Sequence, residues 1–127
     1  MAVNDSDLGG IIMKAKDLEV QVKLVLVPKN AKPFTPALGK GVVALCERVR
    51  DMGSLNKAAH DMGMSYSKAW RIMKSAEEEF GISLLERNGP KGSNLTVQAR
   101  ALIEVYEHAA SAAQAAAEAV IAEELAQ

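Results

Sequence analysis

Cysteine is nearly absent. Cys46 stands alone among 127 residues, so no disulfide can close within the chain, which suits a reducing compartment; a cytoplasmic protein is expected. Cys46 falls on an apolar helical face and reads as a small core residue. Aromatics are scarce at 4%, so a core drawn from the 49% of hydrophobic residues must be mostly aliphatic and methionine. No apolar run approaches the roughly 20 residues of a membrane span. Met1 to Gly10 is acidic and polar and lacks the basic start and apolar stretch of a secretory signal. Motifs for chemistry are missing too. His60 and His108 are far apart, and neither stands at ligand spacing from Cys46. There is no phosphate loop between strand and helix, no GxSxG and no HExxH. Nothing favours an enzyme, and no catalytic residue, metal ligand or cofactor is expected.

A strong charge of one sign is also lacking, since the formal net charge is −1. By itself that argues against nucleic acid, but the distribution says more. Lys40 to Gly92 holds nine Lys/Arg against seven Asp/Glu, a balance of +2, whereas Ala101 to Gln127 holds five Glu and no Lys or Arg. The whole-chain value hides a mildly basic middle, although a solvated acidic helix would produce the same contrast.

What is present centres on Ser54 to Met73, SLNKAAHDMGMSYSKAWRIM. Leu55, Ala58, Ala59 and Met62 recur at helical spacing, Gly63-Met64-Ser65 interrupts, and Ala69, Trp70, Ile72 and Met73 resume the period. The spacing predicts two short helices joined by a tight turn. Gly63 takes a positive φ without steric cost, Ala59 lets the second helix cross closely, and Ser65 can cap that helix. The residues left facing outward are Ser65, Tyr66, Ser67, Lys68, Arg71 and Lys74, the hydrogen-bonding and cationic types that a helix entering a DNA major groove needs. Ser54, Asn56 and Lys57, at the start of the preceding helix, join them as candidate DNA contacts.

The flanks supply the rest. Glu19 to Val27 alternates, with Val20, Val22, Leu24 and Leu26 on one face, and predicts a strand that Pro28 ends. Thr35-Pro36 reads as a cap followed by a first-turn proline, so a first helix is expected from about Pro36 to Met52 with Leu38, Val42, Leu45, Cys46 and Val49 inward. Gly53 closes it and Ser54 caps the next, to about Met62. The third helix runs from Ser65 to about Phe80, with Trp70 as a core anchor and Glu77-Glu78-Glu79 turned away from any groove. Ile82 to Arg87 and Asn94 to Thr96, joined by the turn cluster Asn88 to Ser93, predict a hairpin carrying Arg87 and Lys91 near its tip. Such a wing directly after a helix-turn-helix suits phosphate contact. Thr96 also caps a last helix, Val97 to Leu125, apolar at Leu102, Val105, Tyr106 and Ala109 and then rich in alanine. A helix of ~40 Å exceeds what so small a domain covers, and its alanine stripe suits a dimer contact. The fold expected is therefore mainly α with a small β wing: a winged helix-turn-helix with an N-terminal strand and a long C-terminal dimerisation helix. The expected divisions are a flexible arm at 1–17, the winged helix-turn-helix at 18–96 and the dimerisation helix at 97–127.

SLNKAAHDMGMSYSKAWRIMKSAEEEFGISLLERNGPKGSNLTVQARALIEVY resembles the N-terminal DNA-binding domain of the molybdate-responsive, ModE-type regulators, and is similar to the winged helices of LysR-type regulators. Ser65-Tyr66 with Ala69-Trp70, then Leu85-Glu86-Arg87, then Leu95-Thr96 carry the likeness, which extends from about Leu18 to the end. The resemblance implies a homodimer, built partly on the last helix, that places two winged helices on a palindromic operator in double-stranded DNA. It implies that the third helix reads bases while the wing grips the backbone. Family members that sense molybdate do so through β-rich domains after this one, and this sequence stops at Gln127, so the effector function is not carried over. The competing expectation is a winged helix that binds protein rather than DNA, motivated by the acidic balance and the Glu77-Glu78-Glu79 run.

Overall fold

The computed structural model describes residues 14–29, 38–87, 89 and 92–125. The expected helix start at Thr35-Pro36, most of the N-terminal arm and Lys91 lie outside these. The described residues form two compact units.

The larger unit, Leu24–Tyr106, holds the winged helix. Three helices come first: α1 (Lys40–Met52), α2 (Leu55–Asp61) and α3 (Tyr66–Phe80). A two-stranded antiparallel hairpin follows, β1 (Leu85–Arg87) and β2 (Ser93–Leu95), with Leu85 opposite Leu95 and Arg87 opposite Ser93. The long α4 (Val97–Glu124) then begins. Local chemistry sets the boundaries. Gly53 ends α1 at φ 68°, its N–H donating to Val49 at 2.8 Å. The Ser54 hydroxyl oxygen accepts the Lys57 N–H and that of Ser65 accepts the Lys68 N–H, both at 3.1 Å, which satisfies a free donor at each helix start. Thr96 caps α4 by accepting the Ala99 N–H at 3.0 Å, while its own O–H donates to the Ser83 carbonyl at 2.7 Å.

The core lies where these elements meet. Leu45, Cys46 and Val49 of α1, Leu55, Ala58 and Ala59 of α2, and Ala69 and Met73 of α3 are buried, together with Leu84, Leu95, Ala99 and Ile103. Each large aliphatic side chain contributes about 1.5–3 kcal/mol by leaving water. The alanines contribute by being small, since Ala58, Ala59 and Ala69 allow the helix-turn-helix backbones to approach. Cys46 is a core residue, its Sγ 3.9 Å from Met73 Sδ. Burial, helped by the charges of Glu47 and Glu77, pushes its thiol up to about 12, so it stays protonated.

Several expectations are corrected. No strand occupies 19–27. Among the described residues only Leu26 pairs, in a single bridge to Leu38 whose two N–H···O bonds measure 2.9 and 2.8 Å. The alternation holds only over the end of the segment, with Leu24 and Leu26 half-buried and Val25 and Val27 more than half exposed, whereas Val22, expected on the inward face, is exposed. It records which side faces protein but does not supply a neighbouring strand. The bridge also puts Leu38 before α1, whose N-cap is Gly39, and the buried valine of the first turn is Val43 while Val42 is half-buried. β1 starts at Leu85 rather than Ile82. Trp70 is half-buried at the margin rather than anchoring the core. On α4 the inward residues are Ala99, Ile103 and Tyr106, whereas Val105 and Ala109 are exposed.

Among the described residues, the smaller unit comprises 14–23 together with 107–125. Ala15–Asp17 makes one 3₁₀ turn. The extended backbone after it is met by a single side chain: the Gln114 amide donates to the Val20 carbonyl at 2.5 Å and accepts the Val22 N–H at 3.0 Å. Here a helix side chain does what a partner strand would otherwise do. Among the described residues, no helix is long and apolar enough to cross a membrane.

Candidate nucleic-acid interface

The helix-turn-helix turn is built as its sequence requires. Gly63 adopts φ 70°, and the Met64 N–H reaches back to the Ala59 carbonyl at 3.0 Å. That sharp stop lets α3 start afresh at Ser65 with its inner stripe, Ala69, Met73 and Ala76, against the core. The opposite face then follows from helical spacing. Tyr66, Ser67, Lys68, Arg71 and Lys74 are all exposed. Ser65 and Ser54 stand at the two helix starts with their hydroxyl oxygens engaged as caps, and Asn56 and Lys57 project from the first turn of α2.

The wing is fixed to this surface at two ends. The Ser93 N–H donates to the Gly53 carbonyl at 3.1 Å, joining β2 to the turn between α1 and α2. Arg87, the last residue of β1, reaches α3: its Nη2 donates to the Tyr66 hydroxyl at 3.1 Å, and its guanidinium carbon stands 4.2 Å from the centre of the Trp70 ring. Lys74 Nζ lies 4.7 Å from the same ring, so two cations share one indole. Ser54, Asn56, Tyr66, Arg87 and Gly92 border a crevice of about 210 Å³ between the helix starts and the wing.

The charges fall into two groups. Arg48 is paired with Asp61 at 2.7 Å, and Lys74 with Glu77 at 3.1 Å. Among the described residues, Lys57, Lys68 and Arg71 make no ion pair and remain available to an external anion. Glu77 is turned toward the protein, where its carboxylate accepts the Leu84 N–H at 2.7 Å and the Leu85 N–H at 3.3 Å. Burial alone would raise its pKa. The two backbone donors and Lys74 outweigh that and hold it below its ordinary value.

Thus the structure brings Ser54, Asn56, Lys57, Ser65, Tyr66, Ser67, Lys68, Arg71, Lys74 and Arg87 onto the exposed surface of the α2–α3 pair and wing. Sequence reasoning missed Trp70 and Glu77 as supports of that surface. Trp70 follows Tyr66 by one helical turn, and Glu77 lies in the last turn of α3, ahead of the loop that leads to the wing. Those spacings were available, but the direction of the wing's return was not. Among the described residues, no group of three or more His, Cys, Asp and Glu is placed to hold a metal ion.

Three helices, a β-hairpin wing and a free-standing face on α3 define a winged helix-turn-helix. Residues 43–100 match the family model of bacterial regulatory helix-turn-helix proteins of the lysR family. Among solved structures it is similar to the crystal structure of the CbnR_DBD-DNA complex, with 24% identity over 61% of this chain and 88% of that one and a TM-score of 0.53. At that identity the likeness is one of fold. No curated protein matches the chain.

Proposed function

We propose that the chain is a DNA-binding transcriptional regulator. It presents α3 to the major groove and the wing to the flanking backbone, and it acts by binding rather than catalysis, in the cytoplasm. One observation carries the reading: an uninterrupted outer face of Tyr66, Ser67, Lys68 and Arg71, on a helix whose inner face alone meets the core. The family match supports the same conclusion. We further propose a homodimer through the exposed alanine face of α4, which would set two recognition helices ~34–36 Å apart on a palindromic site. The ModE-like pattern of Ser65-Tyr66 and Ala69-Trp70 favours that type of regulator within the broader class, and no effector is assigned.

The protein-binding alternative drew on the glutamate run at 77–79. Glu77 is withdrawn from the surface as a hydrogen-bond acceptor for the wing, which weakens that motive. A fluorescence titration of the chain against pooled genomic fragments, at about 50 mM and about 200 mM salt, tests the reading. Phosphate neutralisation requires binding at the lower salt and a steep loss at the higher. Absence of binding at the lower salt would favour a protein partner.

A further inference from the structure

We infer that Arg87 is a positioning residue: it fixes the hydrogen-bond polarity of Tyr66, so that Tyr66 reads an acceptor atom on a base edge. The inference rests on the DNA-binding reading above and deepens it.

The chemistry is that of the two side chains. A guanidinium carries only donors, and a phenol carries one hydrogen together with acceptor lone pairs. Arg87 Nη2 donates to the Tyr66 oxygen at 3.1 Å, which occupies a lone pair, so the Tyr66 O–H must donate elsewhere. Among the described residues no acceptor meets it. Tyr66 is the first residue of α3 and 39% exposed. With Ser67, Trp70, Arg71 and Arg87 it lines a shallow groove of about 270 Å³ on the outer face. The free O–H therefore stands on the surface that the groove of a duplex would meet.

Major-groove edges offer acceptors at guanine N7 and O6, adenine N7 and thymine O4, whereas cytosine offers the N4 amino donor. Tyr66, its O–H free and its oxygen already engaged by Arg87, donates to the first three, whereas at cytosine its oxygen has to be shared between Arg87 and the N4 amino group. The lock depends on Arg87 staying in place. Its position 4.2 Å from the Trp70 ring holds it against α3, which also removes it from the role of a freely swinging phosphate contact. Lysine at 87 would keep the charge but lacks the planar fork that can lie on the indole while donating sideways to the phenol.

The test selects duplexes from a randomised pool with the wild-type chain, then with Arg87→Lys, Arg87→Gln and Tyr66→Phe, all on exposed positions. Wild type should enrich a site in which one base pair is read through an acceptor. Tyr66→Phe and Arg87→Lys should relax preference at that same base pair by roughly three- to tenfold, the scale of one hydrogen bond. Arg87→Lys should keep the salt slope of wild type, and the double variant should lose no more than either single one. Without DNA, Arg87→Gln should shift the emission of Trp70, the chain's single tryptophan. If Arg87→Gln weakens all sequences alike and flattens the salt slope, Arg87 is a phosphate contact and the inference falls. It falls alone, too, if wild type enriches a site that Tyr66→Phe reads unchanged. If wild type binds none of the pool at low salt, the DNA-binding reading fails and takes the inference with it.

Discussion

Gly92 stands so close to Gly53 that a β-carbon on it would overlap the Gly53 carbonyl oxygen, the acceptor of the Ser93 N–H. The return strand of the wing is thus laid directly on the turn between α1 and α2. Gly92 also adopts φ 99°, a backbone conformation that side chains resist. Gly92→Ala therefore faces two costs, strain and a clash with backbone that cannot swing aside. A loss of about 2 kcal/mol or more is expected, read as a lower urea midpoint. Gly89→Ala is the control. Gly89 has φ 60° with open space around it, so only the strain of about 1 kcal/mol should appear.

Acid should loosen the wing through Glu77. Its folded pKa is depressed, so its contribution is complete above the unfolded value, near the ordinary 4.5, and is lost as the pH falls through the lower folded value. Wild-type stability should decline as the pH is lowered past the ordinary carboxylate range. Glu77→Gln should be less stable than wild type at neutral pH and show a flatter decline on acidification. Parallel curves for the two proteins would mean that the carboxylate does not hold the Leu84 and Leu85 N–H groups.

The parts of this fold decided by chemistry within one turn of the chain were legible in the sequence. Gly53, Ser54, Ser65 and Thr96 terminate or cap the helices because each position needs a left-handed φ or a side-chain acceptor, and few residue types supply either. The parts decided by distant elements were not. Alternation told which side faces protein only at Leu24 and Leu26 and failed at the exposed Val22, and the groups that meet this backbone come from Gln114 and from Tyr106, whose O–H donates to the Leu24 carbonyl at 2.7 Å. Trp70 sits at a helical position adjoining the core stripe, so periodicity placed it inward. Arg87 and Lys74 hold it at the edge instead, and neither contact has a local signature. The outer face of α3 was legible because a helix with a clear inner stripe leaves only one other side. The tie between that face and Arg87 was not, because it depends on where the wing returns.

Arg71 is one helical turn beyond Ser67 and makes no ion pair among the described residues. If it contacts a guanine edge, Arg71→Ala should weaken binding to the selected site by about 1–3 kcal/mol, with little change on random duplex. Titrations of both duplexes at one salt concentration separate the possibilities. Equal losses would make Arg71 a phosphate contact, which supplies affinity without reading sequence.

The dimer proposed through α4 makes a prediction that binding data alone would not. Ala109, Ala112, Ala116 and Ala119 are all exposed and recur at intervals of four and three, so they share one open face of the helix. Side chains this small let a second helix approach at the near end of the usual 8–10 Å spacing, and a carboxylate there would be both too large and desolvated. Glutamate is also a good helix former, so Ala112→Glu and Ala116→Glu should leave the helical circular dichroism unchanged. Sedimentation equilibrium should show wild type as a dimer. Each variant should have a dissociation constant at least tenfold higher, about 1.4 kcal/mol, and the two together should be monomeric. The variants should also lose affinity for a palindromic duplex far more than for a half-site, because only the former engages both copies at once. A wild-type chain that sediments as a monomer at roughly 10 μM, where even a micromolar dimer would be well populated, would leave the alanine face as solvated helix and end the dimer proposal.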